Sequence, residues 1–184
     1  IHNYKPDRER KEIEVFIGKH VDGIIAAYSG EPENFDIYRE LKEVHKMPLV
    51  LVDRSVPNLQ SHLVQSDHYQ SAYLAIRELG KLGHKNIIFA LAGRETESTK
   101  TLMDGFTGAV SQMDIKNSAD IFYKKTQSWS INEMKSFAEN IIDYITTRKP
   151  QTTALLLQAD WLAYEVLAVC QDRGIKVPDD LSVM

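Results

Sequence analysis

Apolar positions along this chain alternate between a helix-like and a strand-like period, and the switching recurs from one end to the other. Pro6-Asp7 opens a predicted helix with Ile13, Phe16 and Ile17 on one side. Val21–Ala27 follows as a short apolar run of the kind buried on both faces of a sheet. Residues 34–46 have Phe35, Tyr38 and Leu41 at helical spacing, and Pro48–Val52 is a second buried strand ended by Asp53-Arg54-Ser55. A short extended piece at His62–Gln65 precedes a helix from about Asp67 to Leu82.

The alternation continues past Gly83. Asn86–Leu91 is a predicted strand, Gly93-Arg94-Glu95 a loop, and 98–113 a helix built on Leu102, Phe106, Val110 and Met113. Ile121–Tyr123 is a short strand. Ser130-Ile131-Asn132-Glu133 has the spacing of a capping box, in which the Ser hydroxyl takes an orphan amide and the Glu reaches back. The helix it starts runs to about Arg148, before Pro150. Thr153–Leu157 is a strand, Asp160 caps a helix that Gly174 ends, and Leu181–Met184 is extended.

Recurring alternation of strand and helix is the mark of βαβ units, so the predicted class is α/β with a mostly parallel sheet. Right-handed crossovers bring all strand C-termini to one edge, where such folds bind ligands. That rule nominates the segments after each strand: Tyr28–Gly30 with Ser29 at its centre, Asp53–Arg54, Gly93–Arg94 and Gln158–Asp160.

Composition narrows the function. The 184 residues are 43% hydrophobic and 26% charged, which is ordinary for a water-soluble domain. No apolar run approaches the roughly 20 residues of a membrane helix. The net charge is −4, and Lys81, His84, Lys85 and the Lys124-Lys125 pair are the nearest thing to a basic cluster. A domain gripping phosphates needs a basic stripe, so direct DNA binding by these residues is not expected. Cys170 is the sole cysteine and reads as a small buried hydrophobe, which favours a reducing, cytoplasmic setting. There is no GxSxG elbow, no HExxH, no P-loop and no GxGxxG. The six His, at 2, 20, 45, 62, 68 and 84, lack ligand spacing. Neither an enzyme nor a metal or cofactor site is predicted.

Seven segments, in order, resemble the effector-binding core of the LacI/GalR transcriptional regulators, a two-lobed periplasmic-binding-protein-like fold of type I. They are Val21-Asp22-Gly23-Ile24-Ile25; Pro48 through Arg54; Val64-Gln65-Ser66-Asp67 with Ala72; Leu82-Gly83-His84-Lys85-Asn86-Ile87-Ile88-Phe89 with Ala90–Gly93 as its strand end; Gly105-Phe106; Asp160 with Ala163; and Arg173-Gly174-Ile175-Lys176-Val177-Pro178-Asp179-Asp180-Leu181-Ser182-Val183. The resemblance implies an amino-terminal lobe over 1–83, a carboxy-terminal lobe over 84–184 and a hinge near 83–86, each lobe a mostly parallel sheet flanked by helices. It also implies that the chain is truncated at both ends relative to the family.

The same resemblance nominates effector contacts. Trp129 stands where the family often packs an aromatic on a sugar, a flat apolar platform for a pyranose face. Asp67 and His68 lie where the family carries an acidic or amide contact, although Asp67 is equally a helix N-cap. Asp160 matches the second residue of a family Asn-Asp pair, whose Asn is replaced here by Ala159. The family's Arg before Gly105-Phe106 is missing. Lys100 and Thr101 stand nearby instead, and Arg94 is placed to supply a guanidinium from the preceding loop. Lys offers a point charge where Arg offers a planar fork.

By resemblance, then, the chain is the ligand-sensing and dimerisation domain of a bacterial regulator, expected to be a repressor. Its effector is a sugar or related small molecule held between the lobes. Operator DNA is reached only through an upstream helix-turn-helix absent from this chain, the expected partner is a second copy of itself, and no membrane is involved. The alternatives are a secreted sugar-binding protein of a transporter and a GntR-type regulator carrying the same sensor.

Overall fold

In a computed structural model that describes residues 5–93, 95–113, 119–126, 130–148 and 150–184, the chain divides into two compact units, Ile1–Ser66 and Asp67–Met184. The first holds α1 (Pro6–Gly18), β1 (Ile24–Ala26), a 3-10 turn (Pro32–Asn34), α2 (Phe35–Glu43), β2 (Leu49–Val52) and β3 (His62–Val64). Its sheet is parallel in the order β1-β2-β3. Leu49 and Leu51 of β2, with Ile24 of β1, point to one face and bury against Ile13, Ile37, Tyr38 and Leu41 of the two helices. The other face carries Ile25 beside Val50 and Val52 beside Val64. Ile25 is 78% exposed and Val64 63%, so this parallel sheet is helix-covered on one side alone among the described residues.

The second unit holds α3 (His68–Lys81), β4 (Ile87–Gly93), α4 (Glu97–Ser111), β5 (Asp120–Lys125), α5 (Ile131–Thr147), β6 (Ala154–Leu157), α6 (Asp160–Asp172) and β7 (Ser182–Val183). All four strands are parallel, in the order β5-β4-β6-β7. β4 is central and buried along its whole length. Its alternate residues serve two cores. Ile87, Phe89 and Leu91 pack with Ile76, Leu79, Phe106 and Ala109 of α3 and α4. Ile88, Ala90 and Ala92 pack with Phe137, Ile141, Leu162 and Val166 of α5 and α6. A period of two with both sides apolar therefore yields a continuous hydrophobic run, the reason Asn86–Leu91 reads as a buried strand.

Helix starts are built as the sequence predicts in most places. Asp67 is the N-cap of α3, accepting from the Gln70 N–H at 2.9 Å. At α5 the capping box is complete: Ser130 Oγ accepts from the Glu133 N–H at 3.3 Å, and Glu133 Oε2 accepts from the Ser130 N–H at 3.0 Å. Asp160 is different. It is the first helical residue of α6, and Ala159 takes the cap position with no side chain to offer.

The division between units also differs from expectation. It falls after Ser66, whereas the sequence reading put it at 83–86. The cause is the packing of α3 on α4. The Tyr69 carbonyl lies where a Cβ on Gly105 would stand 2.2 Å from it, an approach that only glycine permits. The turn at 83–86 is an internal α3–β4 connection, tied to the start of β6 by His84 Nδ1 with Thr153 Oγ1 at 3.1 Å and by Thr153 N–H to the Asn86 carbonyl at 2.9 Å. Phe16 is a smaller miss: it is half exposed on α1, and Ile13 alone of that face is buried.

Candidate functional site

In each unit the strands end along one edge, and the candidate residues that the structure describes lie at those edges. In the first unit the exit from β1 is Tyr28-Ser29-Gly30, and it is held tightly. Ser29 is 4% exposed. Its N–H donates to Glu9 Oε1 at 2.9 Å and its hydroxyl to Glu9 Oε2 at 2.5 Å. Glu9 itself, in the first turns of α1, also accepts from Asn34 Nδ2 at 2.6 Å and from the Tyr38 hydroxyl at 2.8 Å. Four donors on one carboxylate explain how it tolerates burial. Burial and then the Glu9 charge hold the Tyr28 and Tyr38 phenols far above their ordinary pKa, so both stay protonated. Ser29 was nominated as an effector contact; its hydroxyl is engaged inside the unit.

The exit from β2 carries Asp53 in the left-handed backbone region, at φ 71°, which a non-glycine residue seldom occupies. Arg54 next to it donates from Nη1 to the Ser29 carbonyl at 3.1 Å and stands 3.5 Å from Asp53 through Nε. The sequence rule that nominates strand exits found this pair, but not the contact linking it to Ser29. An open groove of about 310 Å³ lies at the opposite edge of this sheet, lined by His20, Asp22, His45, Lys46 and Pro48, away from Ser29, Asp53 and Arg54.

In the second unit, α4 and α6 follow β4 and β6 directly, so their first turns lie at the C-terminal edge of the sheet. α3 runs back to the start of β4, so its first turn lies at that edge as well. This topology collects Asp67, His68, Lys100, Thr101 and Asp160 along one edge of one unit. Asp67 and Asp160 are exposed, and His68 is half-buried as the first residue of α3. Lys100 is exposed and 3.5 Å from Glu95. Thr101 is half-buried and turned back on its own helix, donating to the Glu97 carbonyl at 2.9 Å. Arg94 and Trp129 lie outside the described residues. Among those described, no group of three or more His, Cys, Asp or Glu is placed to hold a metal ion. No described helix is long and apolar enough to cross a membrane. Cys170 is buried in the α5–α6 core, and desolvation raises its thiol pKa.

Three features of this edge escaped the sequence reading. Gln158 holds Ala92 through two hydrogen bonds. The Tyr123 hydroxyl donates to the Gly93 carbonyl at 2.8 Å, and the Thr126 N–H to the same oxygen at 3.1 Å. Trp161, 38% exposed, stands beside Asp160 in the first turn of α6. Only an aromatic directly after a nominated strand exit was there to signal the last; the two clamps involve residues more than 25 positions apart and leave no local trace.

Comparison with known proteins gives one consistent answer. Residues 76–184 match the family model described as a periplasmic binding protein-like domain. The HTH-type transcriptional regulator DegA of Bacillus subtilis is 29% identical over 184 residues, covering 99% of this chain and 52% of its own length. The HTH-type transcriptional repressor PurR of Pasteurella multocida is 27% identical, covering 97% of this chain and 51% of its own. The crystal structure of the transcription regulator CcpA of Lactococcus lactis superposes with a TM-score of 0.74 at 25% identity, covering 97% of this chain and 62% of that one. The chain thus spans about half the length of the curated relatives it matches. With the family model covering more than half of its residues and regulators of one kind aligned along nearly all of it, the chain belongs to the periplasmic-binding-protein-like domain family, in the form found in LacI-type transcriptional regulators.

Proposed function

We propose that this chain is the effector-sensing part of a bacterial transcriptional repressor, a binding module and not a catalyst. The observation that carries the reading is its alignment, along almost all of its length, with DNA-binding regulators, combined with a net charge of −4. An acidic sensor does not grip phosphates itself, so DNA is reached through a separate helix-turn-helix head. Its effector is a sugar or related polyhydroxy molecule, held between lobes as in the family fold. The effector's contacts are drawn from the strand-exit edges: Arg54 in the first unit, and Asp67, His68, Lys100, Thr101 and Asp160 in the second, with Arg94 and Trp129 as further candidates from the sequence. Binding one lobe arrangement better than another resets the heads, which is all a ligand can do thermodynamically. The working form is a homodimer in the cytoplasm, since paired half-sites need paired heads.

The test is a thermal-shift panel of pentoses, hexoses, hexose phosphates and purine bases on the purified protein. A ligand well above its Kd stabilises by a few kcal/mol, or several degrees. A panel in which no carbohydrate or base moves the transition contradicts the effector assignment. Sedimentation of the same sample reports the dimer.

A further inference from the structure

Among the described residues, Glu9 is the only carboxylate, lysine, arginine or histidine that is buried, at 2% exposure. Burying a charge is expensive even when it is well hydrogen-bonded, and an apolar side chain of similar size often serves stability as well or better. Its partners say what it does instead. Two of its four bonds go to one residue, Ser29, through both the backbone amide and the hydroxyl. The others, to Asn34 and Tyr38, come from the 3-10 turn and α2 and fix the carboxylate in its own position. With its amide and hydroxyl both held, Ser29 cannot rotate its peptide units, and its carbonyl is aimed at Arg54 Nη1. Gly30, at φ 90°, completes the turn, and a Cβ there would stand 3.1 Å from the same Nη1. The chain of contacts therefore runs from α1, through the exit of β1, to the guanidinium at the exit of β2.

We propose that Glu9 is a positioning residue for the effector edge of the first unit, setting through Ser29 where the Arg54 guanidinium stands. The proposal rests on reading that edge as the effector side. Arg54 presents a planar, permanently charged fork, suited to the oxygens of a polyhydroxy or anionic ligand. It lies in a different unit from the second-unit candidates, and its direction is set by a residue that the ligand never touches. Glu9 is legible only through its burial, because a glutamate in the first turns of a charged amphipathic helix otherwise reads as solvated.

The experiment needs no ligand, so its outcome is separable from that of the thermal-shift panel. Amide hydrogen exchange and the Arg54 Nε–H resonance are compared in the whole chain for wild type, Glu9→Gln and Ser29→Ala. The neutral amide of Glu9→Gln keeps the shape but cannot accept all four bonds. The expected result is a tenfold or greater loss of protection at Ser29 and Gly30 and a displaced Arg54 resonance. Protection of Ile24–Ala26 and Leu49–Val52 stays at wild-type level. Ser29→Ala, which deletes one bond of the relay, moves the Arg54 resonance in the same direction by less. If Glu9→Gln does not fold, Ser29→Ala decides alone. An Arg54 resonance unmoved in the folded variants, or protection lost equally across the strands, overturns the proposal; the latter makes Glu9 a stabilising residue and nothing more.

Discussion

The side-chain amide of Gln158 grips the backbone of Ala92 at both ends, donating from Nε2 to its carbonyl at 2.7 Å and accepting from its N–H at 3.0 Å. Main-chain pairing of β4 with β6 stops at Ala90 and Leu157, and the Gln158 N–H reaches the Ala90 carbonyl at 3.3 Å. A side chain thus supplies the next rung of the ladder. It fixes the end of β4 to the end of β6, two residues before Asp160 begins α6.

Replacing Gln158 by Ala removes both bonds and leaves two buried backbone groups without them. We expect a loss of about 1–3 kcal/mol, because the cost is set by orphaned polar groups as well as by the bonds themselves. Gln158→Glu is expected to cost at least as much, since a carboxylate accepts from the N–H but faces the Ala92 carbonyl without a proton to give. Urea unfolding followed by far-UV dichroism measures both. A Glu variant as stable as wild type near neutral pH contradicts the two-ended grip.

The close seam between α3 and α4 predicts a graded glycine series. A Cβ at Gly105 would meet the Tyr69 backbone carbonyl at 2.2 Å, which can yield only if the helices part. Gly105→Ala should therefore cost about 2–3 kcal/mol. At Gly108 the obstacle is the Tyr69 hydroxyl at 2.3 Å, and at Gly80 the Met113 methyl at 1.8 Å, both ends of side chains able to swing away. Helix propensity returns roughly 1 kcal/mol for each Gly→Ala change, so these two should fall within about 1 kcal/mol of wild type. The order of melting temperatures checks the seam; Gly105→Ala ranking most stable of the three contradicts it.

Asp67 has two candidate roles that substitution can separate. Ser caps a helix about as well as Asp, while Ala does not. Asp67→Ala should cost about 1 kcal/mol and Asp67→Ser close to none, by thermal unfolding without ligand. If Asp67 also contacts effector, Asp67→Ser will lose affinity for whichever compound shifts the wild-type transition, despite unchanged stability. Unchanged affinity assigns the residue to the cap alone.

Asp120 accepts from the Tyr144 hydroxyl at 3.0 Å and from Arg148 at 2.8 Å, joining the start of β5 to the end of α5. Burial raises the Asp120 pKa, but the Ile121 N–H, Tyr144 and Arg148 together outweigh it and hold the carboxyl below its ordinary value. A carboxyl depressed in the folded state stabilises above its unfolded pKa, near 4. That contribution fades as pH falls from there through the folded value. Asp120→Asn should therefore be less stable than wild type near neutral pH and show a smaller further loss between about pH 5 and pH 2. Parallel pH–stability curves for the two proteins contradict this.

What the sequence discloses is decided by range. β4 is legible because its seven residues are all buried, and the α5 start because Ser130 and Glu133 lie one turn apart. The alternating hydrophobic period supplied most of the other elements, and the family motifs the two-lobed expectation. The boundary after Ser66 was not legible, because α3 joins the second unit through Tyr69 lying on Gly105, a contact 36 positions long in which a lone glycine carries no direction. Glu9, and the grip of Gln158 on Ala92, escaped for the same reason: polar residues in ordinary polar positions become structural only when a distant segment returns to them. At the candidate site, pattern nominated the strand exits within each unit but gave no sign that the Ser29 hydroxyl donates to Glu9.

The open face of the first sheet has a colloidal consequence. Ile25, Val52 and Val64 hold branched hydrocarbon against water on a flat, hydrogen-bonded surface, with Val50 half-buried among them. Unlike an isolated surface leucine, such a face is wetted by detergents and environment-sensitive dyes and is drawn together by strongly salting-out ions. Handled as these 184 residues, the protein should bind anilinonaphthalene dye while fully folded, and its solubility should drop in sulfate even as its stability rises.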